Sequence, residues 1–360
     1  MTTAALHINL QALINNWQAL HAKSGDTTET AAVVKADGYG LGAAAAAQAL
    51  YNKGVKTFFV AAAEEGEAVR RVCRDATIYV FSGYMSDDAE AYRDSLLVPL
   101  LNSPAQRQQW QTDMGSRAFG VQLDSGMNRL GFEPDEFSQI ANDAEQSKLL
   151  ISHLACADEP DHPMNQQQLQ VFHQMTDEVV RNAQVPRSLA ATGGVLLGPD
   201  YHFDMVRPGV GLYGGLPFAD AQPVIRLSLP VIQTRLVKKG ETVGYGGTWC
   251  ADKDTRVATL AAGYADGIIR ALGNSAGNQN KDVSDAAPVS LYSDGVACPM
   301  LGRVSMDMLT VDVTALEGDP DALDLINEFQ SIDDVATIAG TIGYEILTAC
   351  GNRYRRIFTS

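Results

Sequence analysis

The chain of 360 residues is 46% hydrophobic and carries a formal net charge of -16 at pH 7. This length is enough for two domains or for one large barrel with an appendage, and the acidity disfavours nucleic acid or an anionic membrane as a partner. No run of about 18 apolar residues occurs, so the sequence predicts no membrane span.

The first part of the chain, residues 1–224, alternates short apolar runs with helix-like segments. Such runs are typical of buried strands, and their alternation with helices is typical of a parallel sheet. The eight runs lie at residues 31–36, 57–62, 77–81, 96–101, 119–124, 149–154, 188–192 and 203–209. Eight repeats favour a closed barrel over an open sheet. We therefore predict a (β/α)8 TIM-type barrel over residues 1–224.

The pattern changes after about Pro223. Segments such as VIRLSLPVIQTRLV and MLTVDVT are strand-like, glycine-rich turns separate them, and helical signals are few outside residues 321–340. The polar segment 273–288 predicts a long surface loop. The sequence thus predicts an α/β chain in which a mostly β domain, residues 225–360, follows the barrel.

Two features predict the compartment. The first residues, MTTAALHINLQALINN, lack a basic segment followed by an apolar one, so we expect no signal peptide. The five cysteines are scattered and odd in number, which fits free thiols better than a disulfide framework. The sequence therefore predicts a cytoplasmic protein.

Polar side chains stand where the active site of an α/β barrel lies, at the C-terminal ends of the strands. These side chains are Lys35, Arg129, His153, Thr192 and Arg207. Any one of them fits an ordinary rim residue, but five on one rim favour a site. A partly desolvated lysine has a lowered pKa and a nucleophilic amine, whose usual task is a Schiff base. Lys35 is therefore the candidate nucleophile.

The glycines that follow Lys35 allow two interpretations. Gly38, Gly40 and Gly42 would let the backbone approach a ligand phosphate, or they would begin a dinucleotide-binding G-x-G-x-x-G turn. The third glycine falls one residue early for that motif, and no acidic residue stands out in a suitable second strand. The glycines alone do not decide between the two ligands.

A metal site is a further alternative. The segment HLACADEPDH contains His153, Cys156, Asp158 and His162 at ligand-like spacing. No second pair of cysteine or histidine residues completes a tetrahedral set. We therefore expect no metal.

Seven motifs, in this order, resemble those of one enzyme family. They are AVVKADGYGLGA, LDSGMNRLGF, SHLACADE, DMVRPGVGLYGG, VGYGGTW, AAGYADG and MLGRVSMDM. With them the chain resembles the alanine racemase family, which uses pyridoxal 5'-phosphate (PLP), over nearly its whole length. The resemblance implies an isomerase that interconverts L-alanine and D-alanine, for cell-wall synthesis or for alanine catabolism. It also implies a PLP-bearing barrel, a β domain and a head-to-tail homodimer with shared active sites.

The resemblance also implies which residues bind the cofactor. Lys35 corresponds to the lysine that forms a Schiff base with PLP. Arg207 corresponds to the arginine that faces the pyridine nitrogen, and His153 to its neighbour. The phosphate would be bound by Tyr39, Thr192 and the backbone N–H groups of Gly209 and Val210.

Two bases on opposite faces of the substrate follow from the same resemblance. Lys35 would serve the D enantiomer, and Tyr245, supplied by the partner subunit, would serve the L enantiomer. A free tyrosine has a pKa near 10 and needs nearby positive charge to act as a base at neutral pH. Arg207 and His153 are the expected sources of that charge.

The substrate carboxylate would be held, by the resemblance, by Arg129 and the backbone N–H of Met306. Many family members have a lysine seven residues before that arginine, carbamylated so that its negative charge orients the arginine. Here the position is Gln122, which cannot be carbamylated, so the orientation of Arg129 stays open. The family's C-terminal tyrosine near the phosphate falls at Asn352, and that role is not transferred.

Three other functions stay open at this point. A racemase of another small amino acid, such as serine, would share the fold. A PLP-binding barrel protein without the β domain would need neither the second domain nor Tyr245. A fold-related decarboxylase of basic amino acids would need a wider pocket with acidic partners, which the sequence does not identify.

Overall fold

The computed structural model describes residues 4–274 and 289–359, so most of the predicted loop at 273–288 lies outside the described residues. The chain forms two compact units. The first contains Leu13–Leu212 and Leu216–Ala221, and the second contains the chain before Leu13, Tyr213–Gly215 and the chain after Ala221. The first strand, β1 (Ala5–Asn9), therefore belongs to the second unit, whereas the sequence placed it with the barrel.

The first unit is built on short parallel strands. They are β2 (Glu29–Thr30), β3 (Ala32–Val33), β4 (Thr57–Val60), β5 (Thr77–Val80), β6 (Val98–Leu101), β7 (Gly120–Gln122), β8 (Leu150–Ile151), β9 (Arg187–Ser188) and β10 (Met205–Val206). Strands β3 to β9 pair in chain order, and β10 pairs with β2. Only Ala31 separates β2 from β3, so the two form one barrel strand. Each of the eight predicted runs overlaps one of the strands β3 to β10.

Backbone hydrogen bonds close these strands into a ring. The N–H of Asp204 donates to the carbonyl of Arg187 (3.1 Å), which joins β10 to β9. The N–H groups of Glu29 and Val33 donate to the carbonyls of Asp204 (2.9 Å) and Pro208 (3.0 Å), which joins β10 to the first barrel strand. The ring of eight parallel strands confirms the predicted barrel.

Helices precede and follow the barrel strands. They are α1 (Leu10–Ser24), α2 (Lys35–Tyr39), α3 (Ala43–Asn52), α4 (Ala63–Val72), α5 (Ala89–Asp94), α6 (Pro104–Met114), α7 (Pro134–Ala144), α8 (Pro163–Ala183) and α9 (Thr192–Leu197). Their termini follow local chemistry: α8 begins with a proline, and the side chain of its N-cap, His162, accepts a hydrogen bond from the N–H of Met164. Acidic residues in the first turn of α4 and arginines in its last turn complement the helix dipole.

The second unit is a mostly β structure, as the sequence predicts. Its remaining strands are β11 (Ile225–Val237), β12 (Thr242–Val243), β13 (Trp249–Cys250), β14 (Thr255–Leu260), β15 (Ser290–Ser293), β16 (Val296–Leu301), β17 (Leu309–Asp312), β18 (Ala322–Ile326) and β19 (Arg355–Thr359), and its helices are α10 (Ile332–Ala339) and α11 (Gly343–Thr348). The main sheet has the order β14-β17-β16-β15-β18-β11-β1-β19. In it β1 is antiparallel to β11 and parallel to β19, so both of its edges are paired.

Candidate active site

The short segment α2 is a left-handed turn, not a regular helix, and it begins directly after Lys35. Ala36, Asp37 and Gly38 have φ angles of 52°, 51° and 64°. Only glycine adopts this conformation without a steric penalty, so the turn is unfavourable at Ala36 and Asp37. The Asp37 carboxylate accepts a hydrogen bond from the N–H of Ala43 (2.8 Å), the first residue of α3. The segment thus runs strand, turn and alanine-rich helix, in the order that the sequence predicts.

Lys35 itself is partly buried and surrounded by charge. Its Nζ lies 5.5 Å from the centroid of the Phe81 ring. Burial, and then the positive charge of Arg129, lower the pKa of Lys35, Glu65 opposes this, and Arg207 lowers it further. A lowered pKa leaves more of the amine neutral and nucleophilic at neutral pH, which is what Schiff-base formation needs.

Arg207 is buried beneath the same rim. Its guanidinium donates to the hydroxyl of Ser188 (2.9 Å) and to the carbonyl of Ser152, and one of its nitrogens lies 3.3 Å from Nδ1 of His153. Burial lowers the pKa of Arg207 to about 9, so the group stays protonated at neutral pH. Three acceptors from the protein therefore hold the positively charged Arg207 guanidinium in a fixed position.

His153 does not carry the positive charge that the sequence analysis expected of it. Burial, followed by the charges of Arg207, Arg129 and Lys35, lowers the pKa of His153 to about 3. The imidazole is therefore neutral at pH 7, and its Nδ1 accepts from Arg207. That expectation is wrong because three cations converge on one desolvated ring, a proximity that exists only in the folded barrel.

Hydroxyl and amide groups converge beside Arg207 in a small cradle. The hydroxyl of Thr192, at the start of α9, accepts from the N–H groups of Gly209 (3.1 Å) and Gly211 (3.3 Å). A Cβ atom on Gly209 would lie 2.2 Å from the hydroxyl of Tyr39, so this position has room only for glycine. Within residues 4–274 and 289–359, the N–H of Val210 donates to no protein acceptor. The hydroxyls of Tyr39 and Thr192 and the N–H of Val210 are donors of the kind that fit a phosphate group.

The remaining predicted site residues lie on loops. Arg129 follows β7 and is exposed, while Gln122, the last residue of β7, is buried. Tyr245 and Met306 belong to the second unit, and their exposed fractions are 73% and 55%. The first unit thus gathers the seven predicted cofactor-binding residues together with Arg129, and the second unit presents Tyr245 and Met306 on its surface.

The loop that carries Met306 is held by an arginine that the sequence analysis missed. Arg353 forms ion pairs with Asp266 (2.9 Å) and Asp307 (2.8 Å). The N–H of Ala265 donates to the carbonyl of Met306 (2.9 Å), so the two loops are joined through backbone and side chains. No local signal marks Arg353, because its partners are more than 40 residues away in the chain.

The segment proposed as an alternative metal site serves other contacts. His162 caps α8, and the sulfur of Cys156 lies 3.7 Å from that of Met164. In the part of the chain that the structure describes, no group of three or more histidine, cysteine or acidic residues is arranged to hold a metal ion. None of the described helices combines the length and apolar character needed to cross a membrane.

Comparisons with known proteins agree with the fold. The family models for the N-terminal and C-terminal domains of alanine racemase match residues 8–217 and 224–358. The chain is 52% identical to an alanine racemase of Cereibacter sphaeroides (strain ATCC 17025), over 99% of this chain and 98% of that one. It is 51% identical to an alanine racemase of Jannaschia sp. (strain CCS1) over the full length of both.

Solved structures give the same result. The alanine racemase of Bartonella henselae, crystallised with covalently bound pyridoxal phosphate, is 33% identical with a TM-score of 0.88 over 100% of both chains. The biosynthetic alanine racemase of Pseudomonas aeruginosa is 32% identical with a TM-score of 0.87, again over 100% of both chains.

Proposed function

Because this chain belongs to the alanine racemase family, we propose that Lys35 and Tyr245 are the two bases with which it interconverts L-alanine and D-alanine. As a member of this family, the protein is an isomerase with pyridoxal 5'-phosphate as its cofactor. The names of its relatives favour alanine over serine as the substrate. The observation that carries the proposal is Lys35 itself, an amine of lowered pKa at a barrel strand end beside a phosphate-shaped cradle.

The cofactor would be held by the first unit. Tyr39, Thr192 and the N–H groups of Gly209 and Val210 would hold its phosphate, with the N–H of Gly209 turning from the Thr192 hydroxyl to the phosphate. Lys35 would bind the cofactor covalently. When bound, PLP withdraws electrons from the substrate and so acidifies the proton on Cα. Lys35 then takes or returns that proton on one face of the substrate.

Arg207 sets the electronic character of the site. A guanidinium has only donors and cannot accept a proton. If Arg207 faces the pyridine nitrogen, that nitrogen stays unprotonated, and rapid reprotonation of Cα is favoured over transamination. The neutral state of His153 supports this arrangement, because Nδ1 accepts from Arg207 and leaves the arginine as the fixed cation.

Tyr245 would take or return the proton on the opposite face. A phenol has an ordinary pKa near 10, so a fixed positive charge is needed to make it a base at neutral pH. Of the two expected sources of that charge, His153 is neutral and Arg207 stays protonated, so Arg207 would supply it. Arg129 and the N–H of Met306 would hold the substrate carboxylate.

We propose further that two copies of the chain share their active sites. The exposed side chains of Tyr245 and Met306 on the second unit support this, since bases act best when shielded from water. We take the barrel domain as residues 1–224 without β1, and the β domain as residues 225–360 together with β1. All five cysteines are free, which supports a reducing cytoplasm.

Mixing two inactive variants tests the shared site. Lys35→Ala and Tyr245→Phe should each lose about 10²- to 10⁴-fold in racemisation measured by a chiral assay. After subunit exchange, half of the dimers are mixed and each has one intact site, so about a quarter of wild-type activity should return. Absence of recovery, with exchange shown independently, would argue for self-contained sites. Tyr245→Phe should keep wild-type PLP content, which separates loss of a base from loss of the cofactor.

A further inference from the structure

Glu65 joins the ends of the first two barrel strands next to Lys35. It lies in the first turn of α4, and one carboxylate oxygen accepts from the N–H of Ala36 (2.7 Å). The other accepts from the N–H of Ala61 (2.7 Å), which directly follows β4. Both contacts are short, as expected for hydrogen bonds to an ionised acceptor. One side chain thus ties two loops at the C-terminal rim of the barrel.

The contact with Ala36 falls where the backbone conformation is unfavourable. Ala36 opens the left-handed turn, and both it and Asp37 are non-glycine residues in a conformation that disfavours side chains. Strained backbone of this kind persists only when its surroundings determine it. A carboxylate that accepts the N–H of Ala36 holds the start of the turn, and Tyr39 stands at its end.

Glu65 also differs in charge from the other groups that act on Lys35. Arg129 and Arg207 lower the pKa of Lys35 together with burial, whereas Glu65 raises it. His153, which Lys35 also affects, is neutral. Among the described residues that shift this pKa, Glu65 is the single anion. Its negative charge therefore offsets part of the repulsion among Lys35, Arg129 and Arg207.

We propose that Glu65 is a positioning residue for PLP binding: its carboxylate holds the turn after Lys35, so that the Lys35 amine and the Tyr39 hydroxyl are directed together at the cofactor. The inference rests on the proposed role of Lys35. The alternative is a purely local cap, since an acidic residue at this position of a helix commonly accepts a backbone N–H just before the helix. Such a cap would stabilise α4 without affecting Lys35.

Glu65→Gln is the test variant, because the amide keeps the shape, removes the charge and leaves one oxygen to accept where there were two. Glu64→Gln is the matched control, since Glu64 is an exposed neighbour in the same helical turn and loses the same charge. PLP affinity of the full-length protein should fall about tenfold or more in Glu65→Gln, the usual cost of a lost charged hydrogen bond. It should stay at the wild-type value in Glu64→Gln.

A second readout does not depend on the cofactor. In the full-length protein freed of PLP, the pH midpoint for amine modification of Lys35, followed by peptide mass spectrometry, should move to lower pH in Glu65→Gln. The direction follows because Glu65 raises the pKa of Lys35. This measurement stands even if another lysine proves to carry PLP, so failure of the proposed function is distinguishable from failure of this inference.

Ala36→Gly provides a rescue, since glycine adopts the left-handed turn without a side-chain penalty. Added to Glu65→Gln, it should recover part of the lost PLP affinity. If Glu65→Gln does not fold, Glu65→Asp replaces it. The shorter acid keeps the charge, so the pH midpoint for modification of Lys35 should not change. It cannot reach both backbone N–H groups, so PLP affinity should still fall. A Glu65 variant that loses only thermal stability, with PLP affinity and Lys35 midpoint equal to those of the control, would overturn the proposal.

Discussion

Gly209 offers a direct test of the phosphate cradle. Its φ angle is not in the left-handed region, so Gly209→Ala introduces no backbone strain. The added Cβ would lie 2.2 Å from the hydroxyl of Tyr39 and 3.2 Å from the ring carbon that bears it, whereas ordinary contacts begin at 3.4 Å. The hydroxyl must therefore move by 3.4 minus 2.2, or 1.2 Å. If Tyr39 binds the phosphate as proposed, this displacement breaks that hydrogen bond.

The size of the effect follows from the bond that is lost. A hydrogen bond to a charged group contributes about 1.5–3 kcal/mol, so Gly209→Ala should weaken PLP binding by about 10- to 150-fold. Fluorescence or absorbance titration of the full-length protein with PLP measures this, and the melting temperature without PLP shows whether the fold is intact. Tyr39→Phe, which lacks the displaced hydroxyl, should weaken binding by a similar factor.

The double variant separates displacement of Tyr39 from other damage. Once Tyr39→Phe has removed the oxygen, the nearest atom lies 3.2 Å from the new Cβ, a contact that a small shift relieves. Gly209→Ala with Tyr39→Phe should therefore bind PLP about as well as Tyr39→Phe alone. Wild-type affinity in Gly209→Ala would refute the cradle, and strictly additive losses would show that Gly209 acts independently of Tyr39.

Three further outcomes are expected. The pKa of His153 is about 3 in the folded chain and 6.5 in the unfolded one, so the unfolded chain binds the proton first and the free energy of unfolding falls as the pH drops from 6.5 towards 3. Urea titrations should show that His153→Gln loses less stability over this pH range than the wild type. Equal losses would contradict the buried neutral ring. Arg353→Ala should raise the KM for alanine more than it lowers kcat, because the loop of Met306 loses its ion pairs; unchanged KM would exclude a role for that loop in substrate binding. Gln122 is neutral where the family pattern has a carbamylated lysine, so we predict that a solvent anion lies beside Arg129. Replacing chloride by gluconate at constant ionic strength should then raise the KM for alanine, and unchanged kinetics would reject that anion.

The barrel was predictable because its signals are local. Each of its strands is short, apolar and followed by a helical segment, so the alternation shows in the sequence without any knowledge of partners. The position of Lys35 at a barrel strand end was equally predictable, since this lysine ends an apolar run just before a glycine-rich turn. The sequence did not show that β1 lies in the second unit, because its partners β11 and β19 are more than 200 residues away.

The protonation state of His153 and the contacts of Glu65 and Arg353 could not be predicted from the sequence, for a different reason. The neutral ring of His153 results from desolvation and from cations that the fold brings together. Glu65 resembles any acidic residue at a helix start, and only the folded backbone shows that its carboxylate reaches Ala36. Arg353 likewise acts through carboxylates distant in sequence. These are properties of packing, and the local pattern carries no information about them.

Borohydride reduction of the full-length protein with PLP bound, followed by peptide mapping, tests the central claim most directly. Reduction makes the bond between the cofactor and its lysine permanent, so the labelled peptide identifies that lysine. Lys35 is the lysine at the strand end beside the cradle, and its pKa is lowered. The account predicts label on Lys35 alone, and label on any other lysine would contradict it.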